Sequence, residues 1–82
     1  MSWNYRCIRD DVTADRPHDV YGIHECYYDD DGNIDMWTTD PVTLGHCEST
    51  SEIVGMLGDC RAALCKPVLL LSELSNQFKG DE

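Results

Sequence analysis

A small α+β fold is predicted by this sequence: a three-stranded antiparallel sheet in β-β-β-α order, one helix packed on it, and a C-terminal extended or helical arm. Three observations predict it. Residues 20–42, VYGIHECYYDDDGNIDMWTTDPV, read as two strands folded back on an acidic turn; residues 2–9 alternate as a further strand; and a capped helix with an apolar stripe follows Ser49.

In chain order, residues 2–9 set Trp3, Tyr5 and Cys7 on one face against Asn4, Arg6 and Ile8 on the other, which suits a strand with one buried side. Residues 10–19 are charged and contain Pro17, so they read as a loop. The second strand offers Tyr21, Ile23, Glu25 and Tyr27 on one face and Gly22, His24, Cys26 and Tyr28 on the other. Neither set is purely apolar, and pattern alone leaves the buried face open. At the turn, Asp29 to Asn33 tolerate turn conformations and Gly32 can take positive φ, as a type I turn followed by a bulge requires.

The third strand sets Ile34, Met36 and Thr38 against Asp35, Trp37 and Thr39, and Asp40-Pro41 ends it. Ser49 and Glu52 match a capping box, and the helix runs to about Cys65 with Ile53, Leu57, Cys60 and Leu64 on the stripe that should lie on the sheet. Lys66-Pro67 stops it. Residues 68–71 form either a short edge strand or a covering arm, and residues 72–78 a helical turn with Leu74 and Phe78 inward. Residues 1–79 thus make one domain, with 80–82 a disordered tail.

Eighty-two residues allow one small core and no roomy cleft between layers, which disfavours a self-contained enzyme. The net charge of −10 is unevenly spread: residues 10–52 hold twelve carboxylates against a single base, Arg16. Such a field repels nucleic acid and anionic membranes, and draws in basic surfaces at a rate that falls with salt. The competing reading of the same charge is solubility alone.

Five cysteines form no CxxC and no even framework, and the first residues show neither a basic nor an apolar leader region. The expected location is a reducing cytoplasm with free thiols.

No motif names a reaction. Set on an EF-hand template through Gly32, the turn 29–35 puts Tyr27 and Thr38 at the first and last ligand positions, so a calcium loop fails at both. A zinc site built from His24, Cys26 and Cys7 or His46 is geometrically conceivable, without any local ligand spacing to support it. Adjacency of His46 and Cys47 does not orient a nucleophile. A non-enzyme without cofactor is therefore expected. The β-β-β-α order has the plan of some RNA-binding sheets, but only six bases are present, and direct nucleic-acid binding is not expected.

MSWNYR at the start, YGIHE at residues 21–25, YYDDDGN at 27–33, Trp37, Pro41-Val42 and Lys66-Pro67-Val68 resemble a group of short uncharacterised bacterial proteins over nearly the whole chain. The group has valine-like residues where Cys7 and Cys26 stand, which implies that these thiols substitute in the core; it brings no activity. In size and charge the chain also resembles phage-encoded anti-CRISPR inhibitors.

The functional expectation is a small acidic binding protein, a nucleic-acid mimic or inhibitor of anti-CRISPR type, that engages a basic, nucleic-acid-binding partner. Asp29, Asp30, Asp31, Asp35 and Asp40 would make the contact beside Trp37. The alternatives are the zinc domain and a structural homodimer paired through a sheet edge, with monomer and homodimer both open.

Overall fold

In the computed structural model, residues 2–79 are described, with side chains for residues 2–75. The elements are β1 (Ser2–Asp10), β2 (Val20–Tyr28), β3 (Ile34–Trp37), α1 (Thr50–Leu64), β4 (Leu69–Leu70) and α2 (Leu71–Lys79). The α+β class and the β1–β2–β3 meander are as expected; the sheet itself is mixed and has four strands, in the order β3-β2-β1-β4. β1 pairs antiparallel with β2, from Ser2↔Tyr28 to Asp10↔Val20, and parallel with β4 through Ile8↔Leu69 and Arg9↔Leu70. A parallel neighbour needs a long crossover. Here α1 supplies it, returning the chain from the β3 edge to the β1 edge.

Cys7 and Ile8 are adjacent on β1 and both buried. Successive strand residues point to opposite faces, so both faces are covered there, not the single one expected from alternation. Ile8 joins Cys26 and Leu74 in the core, with Tyr28, Ile34, Trp37, Leu69 and Leu71 packed around them. This is the face of Gly22, His24, Cys26 and Tyr28, and α2 lies on it. Cys26 is fully buried at its centre. The opposite face, with Tyr5, Cys7 and Ile23, meets α1.

β3 departs from simple alternation. Cys26 pairs with Trp37 and Tyr27 with Met36, but Tyr28 pairs with Ile34, leaving Asp35 as the extra residue of a bulge. Ile34 and Trp37 therefore share the core face although three residues separate them. The expected grouping of Ile34 with Met36 is corrected by that one inserted residue.

α1 starts as expected. Ser49 is the N-cap, its hydroxyl accepting from the Glu52 amide at 3.4 Å, while the Glu52 carboxylate accepts the Glu48 amide at 2.9 Å, one residue beyond the usual box. Its inward side differs from the predicted stripe. Ala63 is buried and Ile53, Met56 and Cys60 are half-buried, whereas Leu57 and Leu64 are more than half exposed. The helix packs chiefly against β1, and its Leu57 flank stays exposed.

α2 is tied down from a distance: Asp11 accepts the Ser72 amide at 2.9 Å and the Ser72 hydroxyl at 2.6 Å, capping the first turn. Leu74 points inward as expected; the expectations for Phe78 and for residues 80–82 fall outside what is described. Arg6 joins the layers, donating to the Pro67 carbonyl at 2.9 Å and the Tyr28 hydroxyl at 3.2 Å, and Tyr28 in turn donates to Asn4.

Because Leu74 is the contact through which α2 closes the core, Leu74→Ala should cost about 2–5 kcal/mol in denaturant unfolding. Leu74→Met, which conserves volume, should cost less than about 1.5 kcal/mol. Equal losses for the two variants would remove Leu74 from the core.

Candidate functional site

The acidic turn is built by its first carboxylate. Asp29 Oδ1 accepts the amides of Asp31 at 2.9 Å and Asn33 at 3.0 Å. The Gly32 amide donates to the Asp29 carbonyl at 3.1 Å, and the Asp29 amide donates to the Asn33 carbonyl. With Gly32 at φ +85°, this is the bonding of a three-residue hairpin loop, a type I turn closed by a left-handed glycine, as the sequence predicts.

Asp29 is half-buried and occupied in the turn, while Asp30 and Asp31 are exposed at its tip. Asp35 is exposed on the bulge. Asp40 is exposed beyond the far end of β3, so the five carboxylates are strung along the β3 edge rather than gathered at one point. Trp37 rests on the core and is half-buried, and its remaining surface borders Asp35, Met36 and Thr39.

Both ion pairs among the described residues lie elsewhere. Arg9 pairs with Asp19 at 2.8 Å and Arg16 with Asp10 at 2.9 Å. Asp30, Asp31, Asp35 and Asp40 thus keep their field uncompensated by any ion pair among those residues.

Asp10 organises the 10–19 loop. Its carboxylate accepts the Thr13 hydroxyl at 2.8 Å, the amides of Val12 and Thr13 at 3.1 Å each, and the Arg16 guanidinium. The Thr13 hydroxyl foremost, then these amides and Arg16, hold its pKa down at about 2. Asp11 is likewise lowered by its two bonds from Ser72.

This loop, Asp40 and His24 border a cleft of about 440 Å³ floored by Ile8, Trp37 and Leu71. The His24 ring is fixed by Nδ1, 2.8 Å from the Thr38 carbonyl, which makes Nδ1 the protonated nitrogen. Gly22 allows the ring and Pro41 to approach: an added Cβ would lie 3.0 Å from His24 Nε2 and 3.1 Å from Pro41 Cβ. The cleft escapes a sequence reading because its walls come from four separate segments.

The zinc alternative is not assembled. Cys7 is on the α1 face of the sheet, His24 and Cys26 are on the α2 face, and His46 is exposed in the loop before α1. Among the described residues, no three His, Cys, Asp or Glu side chains are placed to hold a metal. All five cysteines are free. Burial raises the Cys7 thiol pKa, and burial outweighs Arg6 in raising that of Cys26, so both remain neutral. On the α1 face, burial and then the Glu25 carboxylate push the Tyr5 phenol above its ordinary value.

No protein-family model, curated protein or solved structure matches the chain. The fold defines it as a small α+β protein with a helix on each face of a mixed four-stranded sheet. Among the described residues no helix is long and apolar enough to cross a membrane.

The depressed carboxylates set a pH dependence. A lowered folded-state pKa gives stability that is present above the unfolded value, near 3.9, and is lost as pH falls through the folded one, about 2 for Asp10. The Asp10→Asn/Asp11→Asn variant should therefore unfold at a lower temperature than the parent at neutral pH. Its melting temperature should then fall less between about pH 4 and pH 2. Parallel curves for the two proteins would show that these carboxylates do not stabilise the fold.

Proposed function

We propose that this chain is a non-enzymatic binding protein that presents the acidic β2–β3 hairpin and β3 edge to a basic surface on a nucleic-acid-binding partner, in the manner of a nucleic-acid mimic. One observation carries the reading. Asp30, Asp31, Asp35 and Asp40 are exposed along one edge and engaged in neither ion pair among the described residues, in a chain of net charge −10. Carboxylates strung along an extended edge offer a basic groove a row of negative charge, as a nucleic-acid backbone does.

Asp29 contributes by holding the turn. Exposed Met36 and the accessible part of Trp37 add apolar contact beside Asp35, the kind of anchor that gives a charged interface its residence time. An anti-CRISPR-type inhibitor is one form such a protein takes. Five free thiols support a reducing compartment such as the cytoplasm.

The test is capture from native host lysate on the immobilised protein at low and high salt, followed by competition with duplex DNA and RNA. A basic protein retained only at low salt and displaced by nucleic acid is the expected result. Asp30→Lys/Asp31→Lys should weaken that capture at least several-fold and flatten its salt dependence. Retention indifferent to salt, or unaltered by the two reversals, would overturn the assignment.

A further inference from the structure

Where β3 ends, the chain does not leave the sheet. The Thr38 amide donates to the Glu25 carbonyl at 3.0 Å and the Val42 amide to the Ile23 carbonyl at 2.7 Å. Those acceptors stand two residues apart on β2, as an antiparallel ladder requires, whereas the donors are four residues apart. The two surplus residues push Thr39, Asp40 and Pro41 out as a lip, an irregularity of the kind that re-aims side chains beside a site. The lip closes down at Gly22: the point where a Cβ would stand is 3.1 Å from Pro41 Cβ and 3.0 Å from His24 Nε2.

The cleft of about 440 Å³ bordered by this lip falls within the roughly 300–1,000 Å³ of small-molecule sites. Its charged and titratable lining, among the described residues, is Asp10, Arg16, Tyr21, His24 and Asp40. Arg16 is held by Asp10 at 2.9 Å, so that pair compensates itself. Asp40 lies in neither ion pair among the described residues and is the uncompensated charge of this lining. His24 adds an acceptor. Its ring is anchored through Nδ1 on the Thr38 carbonyl, which makes Nε2 the lone-pair nitrogen of the neutral ring.

We propose that this cleft is a receptor for a guanidinium group on an apolar stem, the side chain of an arginine on the basic partner inferred above. The charge of Asp40 selects a cation, and Asp40 and His24 Nε2 are both acceptors, so the ligand must bring donors. The floor of Ile8, Trp37 and Leu71 suits an aliphatic stem and a flat head that stacks on indole. A guanidinium supplies five donors in one plane and sheds water readily, whereas an ammonium is a compact, strongly hydrated charge. A carboxylate or phosphate would find a cation here only by drawing Arg16 away from Asp10. The cleft thus deepens the binding role of the β3 edge, and it rests on that role only for the source of the guanidinium.

Nuclear magnetic resonance titration of the isotope-labelled full chain, in reducing buffer at about 0.15 M salt, tests the cleft. The probes are acetyl-arginine-methylamide, acetyl-lysine-methylamide and n-propylguanidine. The Trp37 indole and the Gly22 and Thr39 amides should shift saturably with the arginine probe, and the lysine probe should bind about fivefold more weakly. n-Propylguanidine, which is the stem and head without a backbone, should match the arginine probe within about threefold. Asp40→Asn should weaken that probe about fivefold. His24→Phe keeps a ring against Gly22 and Pro41, removes the acceptor, and should weaken it several-fold. Asp30→Lys/Asp31→Lys lies beyond the other end of β2, about 20 Å from Gly22 at roughly 3.3 Å per residue, well past the screening length, and should leave the affinity unchanged within about twofold.

No saturable shift, equal binding of the lysine probe, an Asp40→Asn variant that binds like the wild type, or equal weakening by the hairpin reversals would overturn the proposal. Binding of n-propylguanidine with none of the arginine probe would overturn the side-chain assignment and give the cleft to a free guanidine. Probe binding in a chain whose lysate capture is indifferent to the hairpin reversals would uphold the cleft and overturn the hairpin role alone.

Discussion

The structure depends on one strand being buried from four directions. β1 is hydrogen-bonded along both edges, to β2 and β4, and covered on both faces at Cys7 and Ile8. A chain of 82 residues has too little apolar material to fill two layers equally. The division is uneven: the α2 face holds the Ile8–Cys26–Leu74 core, and the α1 face closes tightly only around Cys7 and Ala63. Burying an isoleucine or leucine contributes about 1.5–3 kcal/mol, so much of the hydrophobic stabilisation rests on the α2 side. The Asp11–Ser72 cap, which fixes the start of α2, consequently acts on the whole core.

The acidic edge is built with the same economy of parts. Asp29 supplies acceptors for backbone amides that water would otherwise have to satisfy, and the sharp turn this permits carries Asp30 and Asp31 out at its tip. The bulge at Asp35 keeps Trp37 on the core while holding a carboxylate on an exposed edge. A charged, irregular edge of this kind also resists pairing with the strands of other molecules. Charge density on β3 and seating of its aromatic residue therefore follow from a single irregularity.

What could be read from the sequence was local. The hairpin, the positive φ of Gly32, the Ser49 cap and the end of α1 rest on signals within a few residues of each other, and the structure has them. The identity of Trp37's face was hidden because a one-residue bulge inverts the alternation on which a strand reading depends. Long-range choices were hidden too: the parallel Ile8↔Leu69 pairing, the Asp11 cap on Ser72, and the placing of Cys7 and Cys26 on opposite faces. The exposed flank of α1 had a visible sign. Ile53, Val54, Met56, Leu57 and Leu64 spread apolar character over about half the helix, more than one sheet can cover. Of the candidate site, the turn residues could be placed in advance; the spread of the carboxylates along an edge could not.

The distance in sequence between Ile8 and its neighbours Leu69 and Leu74 bears on how the protein is made. During synthesis the β1–β2–β3 meander, built from near contacts, can form early. Its principal apolar face, with Ile8, Ile34 and Trp37, stays open to solvent until residues 69–74 have left the ribosome. A nascent chain in that condition presents a ready surface for association, and its heavy negative charge repels other such chains at that stage. The acidity of the first two-thirds of the sequence thus opposes association of such chains at that stage.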